Sequence, residues 1–150
     1  MIRELIISAF LTAAPLSCNP ITLTQEPPPV VGLVTVTRVI DGDTVEIETG
    51  RKVRVLGMDS CEIGTLGGGR ARAEGRLLLL PQQVTLKMEP GVTTDPYDRD
   101  LRYIVLEDGR DYAEVMVASD HTSVYIGGHA PKEYEDKLRA FDGDPAKNCD

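Results

Sequence analysis

Residues 33–58 read LVTVTRVIDGDTVEIETGRKVRVLGM, and this stretch decides the fold. Apolar and polar residues alternate in three short runs, which is the period of strands that bury one face. Asp41-Gly42 and Thr49-Gly50 interrupt the alternation, and Asp-Gly is a strong signal for a tight turn between antiparallel strands. The stretch therefore predicts a meander, the opening of a sandwich or small barrel. The predicted strands are 33–40, 44–48 and 52–58.

Beyond the meander, the chain continues with further strand and helix patterns. A flexible Gly-rich loop at 62–70 precedes the first helix, and Pro81 ends that helix because proline cannot continue one. Five strands with a helix after the third are what an OB-fold requires. We therefore predict an α+β fold, mainly β, with a five-stranded OB-fold barrel and about three helices. The predicted elements are helices at 71–80, 113–119 and 131–141, a strand at 83–89, a strand from 101 to a turn at 108–109, and a brief strand at 123–126.

The chain has 150 residues, which is room for one domain with appendages, and its net charge is −8. That charge argues against tight, non-specific wrapping of nucleic acid, because such binding draws on a basic surface. Residues 33–110 carry 11 Lys/Arg against 13 Asp/Glu, whereas residues 111–150 carry 4 against 9. The excess of acidic residues therefore lies mostly C-terminal to the segments that contain the candidate functional residues. An enzyme that needs a metal ion and turns over quickly remains compatible with this distribution.

The N-terminal segment MIRELIISAFLTAAPLSC has one Arg before an apolar run from Leu5 to Leu16. The run is shorter than the roughly 20 residues that span a bilayer and matches the apolar part of an export signal. We therefore expect a secreted or envelope-anchored protein. If the segment is a lipoprotein signal, Cys18 is the residue that carries the lipid. The alternative is a small N-terminal helix on a cytoplasmic protein. The predicted organisation is an export or lipoprotein signal at 1–19, a Pro-rich linker at 20–32, the barrel domain at 33–141 and a C-terminal tail at 142–150.

The three cysteines are Cys18, Cys61 and Cys149. If Cys18 is removed with the signal or lipidated, Cys61 and Cys149 remain as an even pair in an oxidising compartment, where disulfides persist. In a cytoplasmic protein, the same residues are expected to be three unrelated reduced thiols. The sequence leaves both alternatives open.

Carboxylates are the first candidate functional groups. The segments 40–44 and 59–62, which carry these carboxylates, are each an ordinary polar turn or strand end when taken alone. The predicted hairpin, however, brings the first turn towards the end of the third strand. Several carboxylates at one barrel mouth repel one another unless a cation lies among them. Hard oxygen ligands favour Ca²⁺, or Mg²⁺ less comfortably, and no His or thiolate cluster in the sequence suits a softer metal. The converging residues are Asp41, Asp43, Asp59 and Glu62.

Two arginines complete the pattern that phosphodiester cleavage needs. The reaction requires an activated water, a cation against the phosphate oxygens, and donors that strengthen as charge builds in the transition state. Arginine suits the phosphate because its planar fork donates two parallel hydrogen bonds and stays charged. Arg54 lies on the third predicted strand, and Arg99 lies in the loop before the fifth. Each of them, taken alone, is also compatible with a surface salt bridge.

Two separated strings resemble one known family. VTRVIDGDTVEIETGRKVRVLGMDSCE at 36–62 and TTDPYDRDLRYIVLEDGRDYAEVMV at 93–117 are similar to the two halves of the staphylococcal nuclease (thermonuclease) domain, in the same order and with compatible gaps. The resemblance covers roughly residues 33–125. It implies a calcium-dependent nuclease that hydrolyses DNA and RNA, preferably single-stranded, to products with 3′-phosphates. It also implies a monomer with no stable protein partner.

The resemblance assigns roles to the residues of the candidate site. Asp43 and Asp59 match direct calcium ligands, and the backbone carbonyl of Ser60 matches a third. Asp41 matches a carboxylate that stands near the metal without binding it. Glu62 matches the proposed general base, or the group that orients the attacking water. Arg54 and Arg99 match the two arginines that bind the phosphate and stabilise the transition state.

Substrate contacts are implied for three more side chains. Tyr97 matches a tyrosine near the nucleotide phosphate. Tyr125 lies near the place where the family has tyrosines that stack on a base. Arg70, where the predicted Gly-rich loop meets the first predicted helix, is a further candidate for binding substrate.

The sequence departs from the family pattern at several positions near the site. Cys61 replaces a proline, which loosens the backbone unless a disulfide with Cys149 restores rigidity. Asp98 replaces the glycine before Arg99, which predicts an altered loop and a negative charge beside the phosphate. These changes predict weaker substrate binding. They also keep two alternatives open: a non-catalytic OB-type module that binds nucleic acid or protein, and an exported structural protein that binds no calcium.

Overall fold

The computed structural model describes residues 31–150. The predicted signal and nearly all of the predicted linker lie outside these residues. The first strand begins at Gly32, which the sequence had assigned to the linker. Within 31–150, no helix combines the length and the apolar character needed to cross a membrane. In chain order the elements are β1 (Gly32–Val39), β2 (Thr44–Ile47), β3 (Lys52–Val55), β4 (Met58–Ser60), α1 (Leu66–Leu79), β5 (Gln83–Lys87), β6 (Asp100–Val105), α2 (Tyr112–Val117), β7 (Thr122–Val124) and α3 (Lys132–Arg139).

Five of these strands form a closed barrel in the order β1-β2-β3-β6-β5, and β5 pairs back onto β1. Only β3 and β6 run parallel to each other. The period-2 alternation places one side chain in two inside the barrel, as at Val34, Val36 and Val45, each at most 5% exposed. The fold is therefore α+β with an OB-fold-like barrel and three helices, and the prediction of the fold class is confirmed.

A buried ion pair fixes the start of β6 against the end of the β2–β3 turn. The carboxylate of Asp100, 1% exposed, accepts from Arg51 Nε at 2.6 Å and from Arg102 Nη2 at 3.4 Å. A buried carboxylate needs this kind of compensation because leaving water is costly for a charge. Asp100 directly follows Arg99, so the contact also anchors the chain at one of the candidate phosphate-binding residues.

The third predicted strand, 52–58, is wrong as a single element. The chain breaks at Leu56-Gly57, where Gly57 has φ +79°, and β3 and β4 are separate strands. β4 leaves the barrel and pairs antiparallel with β7, with Met58 opposite Val124 and Ser60 opposite Thr122. Leu56 interrupts the alternation and Gly57 permits a bend, but only the pairing with β7 decides that the chain leaves the barrel at this point. As a result, Asp59 and Ser60 lie beside the barrel rather than in its wall.

The predicted loop at 62–70 and the helix start at residue 71 are also wrong, because α1 already begins at Leu66. Thr65 caps the helix, since its hydroxyl accepts from the Gly68 amide at 2.9 Å. The glycines lower helix propensity, but one of them is needed for packing. A Cβ on Gly68 would lie 1.9 Å from the carbonyl oxygen of Glu62. Only glycine therefore lets the chain before α1 fold back on the first turn of the helix.

The C-terminal tail folds back onto the domain. Cys149 forms a disulfide with Cys61, 88 residues earlier in the chain. The carbonyl of Cys149 accepts from the Gly67 amide at 3.0 Å, and the amide of Asn148 donates to the carbonyl of Asp120 at 2.6 Å. The last residues are therefore part of the packed structure next to the start of α1.

Tyr112 on α2 holds the turn between β1 and β2 from inside the molecule. Its side chain is fully buried, and its hydroxyl donates to the carbonyl of Gly42 at 2.7 Å. Burial raises the pKa of Tyr112 well above its ordinary value, so the hydroxyl remains a donor at any ordinary pH. The turn that carries Asp41 and Asp43 is thus fixed by a residue 70 positions away.

We expect Tyr112→Phe to lower the free energy of unfolding by about 1–3 kcal/mol, because the buried carbonyl of Gly42 loses its donor. The measurement is denaturant unfolding followed by circular dichroism. Tyr103→Phe is the control: its hydroxyl donates to Glu89, which is only partly buried and can turn towards water. A loss for Tyr112→Phe no larger than that of the control would contradict the role of this hydrogen bond.

Candidate functional site

Asp43 is the centre of the candidate site. Its side chain lies at the start of β2, and the residue is only 7% exposed. One carboxylate oxygen, Oδ2, accepts from the amide of Ser60 at 3.0 Å and from its hydroxyl at 3.2 Å. The other oxygen, Oδ1, accepts from the hydroxyl of Thr44 at 2.9 Å. These donors hold the carboxylate in a single orientation between the barrel and β4.

Gly42 allows the turn to approach β4 closely enough for these contacts. A Cβ at position 42 would lie 2.7 Å from Cβ of Ser60 and 2.8 Å from Cβ of Ala71. Real side chains do not pack that closely, so any larger residue forces the turn away from β4. Gly42 therefore has two roles: it forms the turn, and its lack of a side chain lets Asp43 reach Ser60.

Arg54 on β3 joins the two predicted calcium ligands. Its Nη1 donates to the carbonyls of Val55 at 2.7 Å and Met58 at 2.8 Å, across the break between β3 and β4. Its Nη2 lies 3.3 Å from both Asp43 Oδ2 and Asp59 Oδ1. The side chain is only 12% exposed. The guanidinium is therefore fixed by backbone acceptors and presents one edge to both carboxylates.

Arg99 approaches the same centre from the loop before β6. Its amide and its Nε donate to the two oxygens of Asp95, at 3.0 and 2.6 Å. Burial alone would raise the pKa of Asp95, but the hydrogen bonds from Arg99 outweigh it and hold the pKa below its ordinary value. The Nη1 of Arg99 reaches the hydroxyl of Thr44 at 3.3 Å. Because Thr44 also bonds Asp43, contacts run without a gap from Arg54 through Asp43 and Thr44 to Arg99.

Asp98 lies in the turn before Arg99 with a left-handed backbone conformation. Its φ is +57°, in the left-handed region that glycine favours and aspartate tolerates better than most residues. The amide of Asp98 donates to the carbonyl of Asp95 at 3.1 Å, which closes the turn. The side chain is exposed. The backbone at Asp98 is therefore one that glycine also adopts, and the side chain places a negative charge on the surface of the turn before Arg99.

Glu62 has a fixed backbone and an unpartnered carboxylate. Its carbonyl accepts from the hydroxyl of Thr65 at 2.8 Å and packs against Gly68. The side chain is exposed and makes no hydrogen bond or ion pair with any residue between 31 and 150. Of the four predicted carboxylates, Glu62 alone is available to water in this way.

Asp43 and Asp59 both face Arg54, and Asp41 adds negative charge beside Asp43. Burial, followed by the charge of Asp43, raises the pKa of Asp41 to about 6. The side chain of Asp41 also accepts from the amide of Asp43 at 3.1 Å. In the part of the chain that the structure describes, no group of three or more His, Cys, Asp or Glu side chains is arranged to hold a metal ion. The expected ligand set contains only two carboxylates, Asp43 and Asp59, and each of them has one oxygen 3.3 Å from the same nitrogen of Arg54.

Lys147 is a residue of the site that sequence analysis missed. Its Nζ lies 2.5 Å from Oδ2 of Asp59, the oxygen that Arg54 does not contact. Lys147 stands two residues before Cys149, so the pairing of Cys61 with Cys149 was the one available signal. That pairing was left open, and the tail was therefore not placed near the site.

The predicted substrate-binding residues divide into two groups. Tyr97 and Tyr125 line one pocket together with Arg54, and both are exposed. The guanidinium of Arg99 lies 5.3 Å from the ring centroid of Tyr97, and that of Arg54 lies 6.0 Å from the ring of Tyr125. Arg70 does not line this pocket. It contacts Asp120 at 3.3 Å and the carbonyl of Asn148 at 3.1 Å, and so helps to hold the tail.

Comparisons with known proteins do not identify a family for the chain. A scan against protein-family models finds no match. A search of curated proteins also finds none. Function is therefore inferred from the geometry of the site and from the motifs at 36–62 and 93–117.

We expect Asp98→Gly to leave the free energy of unfolding within about 0.5 kcal/mol of the wild type, because glycine adopts the same backbone conformation. Asp98→Ala should lower it by about 1 kcal/mol, because alanine pays the steric cost of a positive φ. Chemical denaturation measures both. Glu107→Ala, an exposed residue without a positive φ, is the control and should change little. A large loss for Asp98→Gly would show that the aspartate side chain itself holds the loop.

Proposed function

We propose that this protein is a calcium-dependent nuclease of the staphylococcal nuclease-like family that hydrolyses phosphodiester bonds in DNA and RNA. The observation that carries the proposal is the unbroken line of contacts from Arg54 through Asp43 and Thr44 to Arg99. It sets two arginines on either side of one buried carboxylate at one end of the barrel. The resemblance of the motifs adds the expectation of 3′-phosphate products.

The two arginines suit a phosphodiester group as it reacts. Each guanidinium is oriented by acceptors of the protein itself: backbone carbonyls for Arg54 and the carboxylate of Asp95 for Arg99. Donors that are oriented in advance stabilise developing charge most effectively, because they do not reorganise during the reaction. A phosphate between them would meet the Nη2 edge of Arg54, which also faces Asp43 and Asp59, while Nη1 stays on the backbone carbonyls.

Asp43, Asp59 and the backbone carbonyl of Ser60 are the residues that would hold Ca²⁺, with Asp41 nearby. The donor set fits, because Ca²⁺ prefers oxygen ligands and accepts an incomplete protein cage completed by water or substrate. The raised pKa of Asp41 supports the assignment, since it reflects burial and crowded negative charge that a cation relieves. When bound, the ion supplies positive charge against the phosphate oxygens.

Glu62 is proposed to take the proton from the attacking water or to orient that water. Its carboxylate is exposed and has no partner among residues 31–150, whereas its backbone is held by Thr65 and Gly68. A general base needs an oxygen within hydrogen-bond reach of water, carried on a fixed support. The exposed carboxylate of Glu62 can reach water, and its packed backbone carbonyl provides the fixed support.

Tyr97 and Tyr125 are proposed to receive the bases of the substrate. Stacking on aromatic rings tolerates any base and requires bases that are not paired, so it favours single strands. The net charge of −8 limits electrostatic attraction to the phosphate backbone, which supports weak binding of substrate. The Cys61–Cys149 disulfide supports a secreted or envelope-anchored location, because disulfides persist in oxidising compartments.

The second candidate function is a non-catalytic OB-type module that binds nucleic acid or protein. One observation favours it: Lys147 occupies one oxygen of Asp59, a proposed calcium ligand. Such a module needs the pocket beside Tyr97 and Tyr125 but not the carboxylate of Glu62. The two functions therefore differ in their response to a change at Glu62.

We expect cleavage of single-stranded DNA that depends on Ca²⁺, stops with excess chelator, and falls at least about 100-fold in kcat for Glu62→Gln, because the base is lost. Glu133→Gln is the matched control, since Glu133 is also exposed and has no side-chain hydrogen bond or ion pair within 31–150. No cleavage by folded protein that binds Ca²⁺ would favour the binding module. No calcium binding and no cleavage would favour a structural protein.

We expect Arg99→Lys to lower kcat about 100-fold, because an ammonium cannot replace the oriented fork of donors. Arg110→Lys is the control: Arg110 bonds Asp108 through its amide and its Nε just as Arg99 bonds Asp95, but on an exposed turn. Steady-state kinetics and thermal unfolding should be measured on both variants. An equal loss of activity in both would contradict a specific role for Arg99.

A further inference from the structure

The contact between Lys147 and Asp59 has consequences for the proposed cation site. Oδ1 of Asp59 faces Arg54 at 3.3 Å, and Oδ2 faces Lys147 at 2.5 Å. The Lys147 side chain is only 20% exposed, and that of Asp59 is 35% exposed. A short ion pair with limited access to water is screened less than one on the open surface.

The tail holds Lys147 in this position from both sides. Before it, the amide of Lys147 donates to the carbonyl of Asp144 at 3.0 Å, and the backbone of Lys147 itself has φ +56°. After it, Asn148 bonds Asp120 and accepts from Arg70, and Cys149 is joined to Cys61. The lysine therefore lies at Asp59 because the chain on either side of it is fixed, and not only because the two charges attract.

Gly67 shows how tightly this part of the tail packs. A Cβ at position 67 would lie 2.5 Å from the carbonyl oxygen of Asn148 and 2.8 Å from Sγ of Cys61. The amide of Gly67 donates to the carbonyl of Cys149 at 3.0 Å. The start of α1 is thus shaped to receive the tail together with the disulfide.

The balance of charge at the site follows from this arrangement. Asp43 and Asp59 carry two negative charges, and Arg54 and Lys147 carry the two positive charges that face them. Without Lys147, one negative charge of this group is in excess, and Asp41 beside Asp43 adds to it. With Lys147 in place, the charges of the four side chains balance, and a bound cation additionally meets the repulsion of the ammonium.

We infer that Lys147 is a built-in competitor of the divalent cation at Asp59, and that the Cys61–Cys149 disulfide keeps it there. The inference rests on the proposed cation site. The oxidised protein then needs more Ca²⁺ to fill the site than the same protein with the tail released. Lys147 sets the affinity of the site and takes no part in the chemistry.

The deciding experiment is titration of Ca²⁺ into the oxidised full-length protein by isothermal calorimetry. Lys147→Met keeps the length and the disulfide but removes the charge, and we expect Kd for Ca²⁺ to fall at least about fivefold. Lys132→Met is the matched control, because Lys132 forms an ion pair of the same 2.5 Å with Asp136 on α3. The Kd of the control should equal that of the wild type.

A second titration follows treatment with a dithiol reductant. The dithiol gives two electrons and two protons to the disulfide, so Cys61 and Cys149 become thiols and the reagent becomes its own disulfide. The reduced wild type should bind Ca²⁺ about as tightly as oxidised Lys147→Met, and reduction should not tighten binding by Lys147→Met any further. Circular dichroism checks that the reduced protein remains folded. If the reduced protein unfolds, the comparison of Kd between the oxidised wild type and oxidised Lys147→Met tests the inference by itself.

The outcomes separate this inference from the proposed function. Calcium-dependent cleavage with equal or weaker Ca²⁺ binding by Lys147→Met would overturn the inference and leave the nuclease proposal standing. If reduction of the disulfide tightened Ca²⁺ binding equally in the wild type and in Lys147→Met, the disulfide would not act through Lys147. No Ca²⁺ binding by any form, oxidised or reduced, would overturn the inference together with the cation site.

Discussion

A carboxylate that is nearly closed off from water must be surrounded by donors, and this constraint on Asp43 organises the site. Its oxygens are met by the amide and hydroxyl of Ser60, the hydroxyl of Thr44 and the guanidinium of Arg54. These donors come from β2, β3 and β4, so the three elements have to meet at one point. A buried charge with fewer partners would cost several kcal/mol. The hydroxyl of Thr44 also accepts from Arg99, so the second arginine is joined to the same carboxylate through Thr44.

The barrel supports this meeting by departing from regularity where the site is built. The break at Gly57 turns β4 out of the barrel wall, and Arg54 spans the break by bonding the carbonyls of Val55 and Met58. Asp59 and Ser60 are thereby carried to the turn that Tyr112 and Gly42 hold in place. Strand irregularities that aim particular side chains are common at functional sites. Here, the irregularity brings a predicted ligand to a predicted phosphate-binding arginine.

The C-terminal tail makes the site depend on residues far away in the sequence. By the chain-entropy model, a disulfide that closes a loop of this length is worth about 4–5 kcal/mol, so it stabilises the fold as well as placing the tail. Arg70 helps to hold the tail by donating to the carbonyl of Asn148. Lys147 then adds positive charge beside Asp59. The C-terminal tail therefore contributes both to the stability of the fold, through Cys149, and to the charge at the site, through Lys147.

The sequence by itself determined the barrel, because alternation and Asp-Gly turns are local signals that each strand carries independently. It also predicted that Asp43, Arg54 and Asp59 converge, because they lie within 17 residues on what reads as one hairpin. Only the tertiary structure decided the break at Gly57, the start of α1 at Leu66 and the place of Lys147. Each of these depends on contacts between distant segments, such as β4 with β7 and Cys61 with Cys149. Local propensity cannot register such contacts, because their free energy appears only when the distant partner is present.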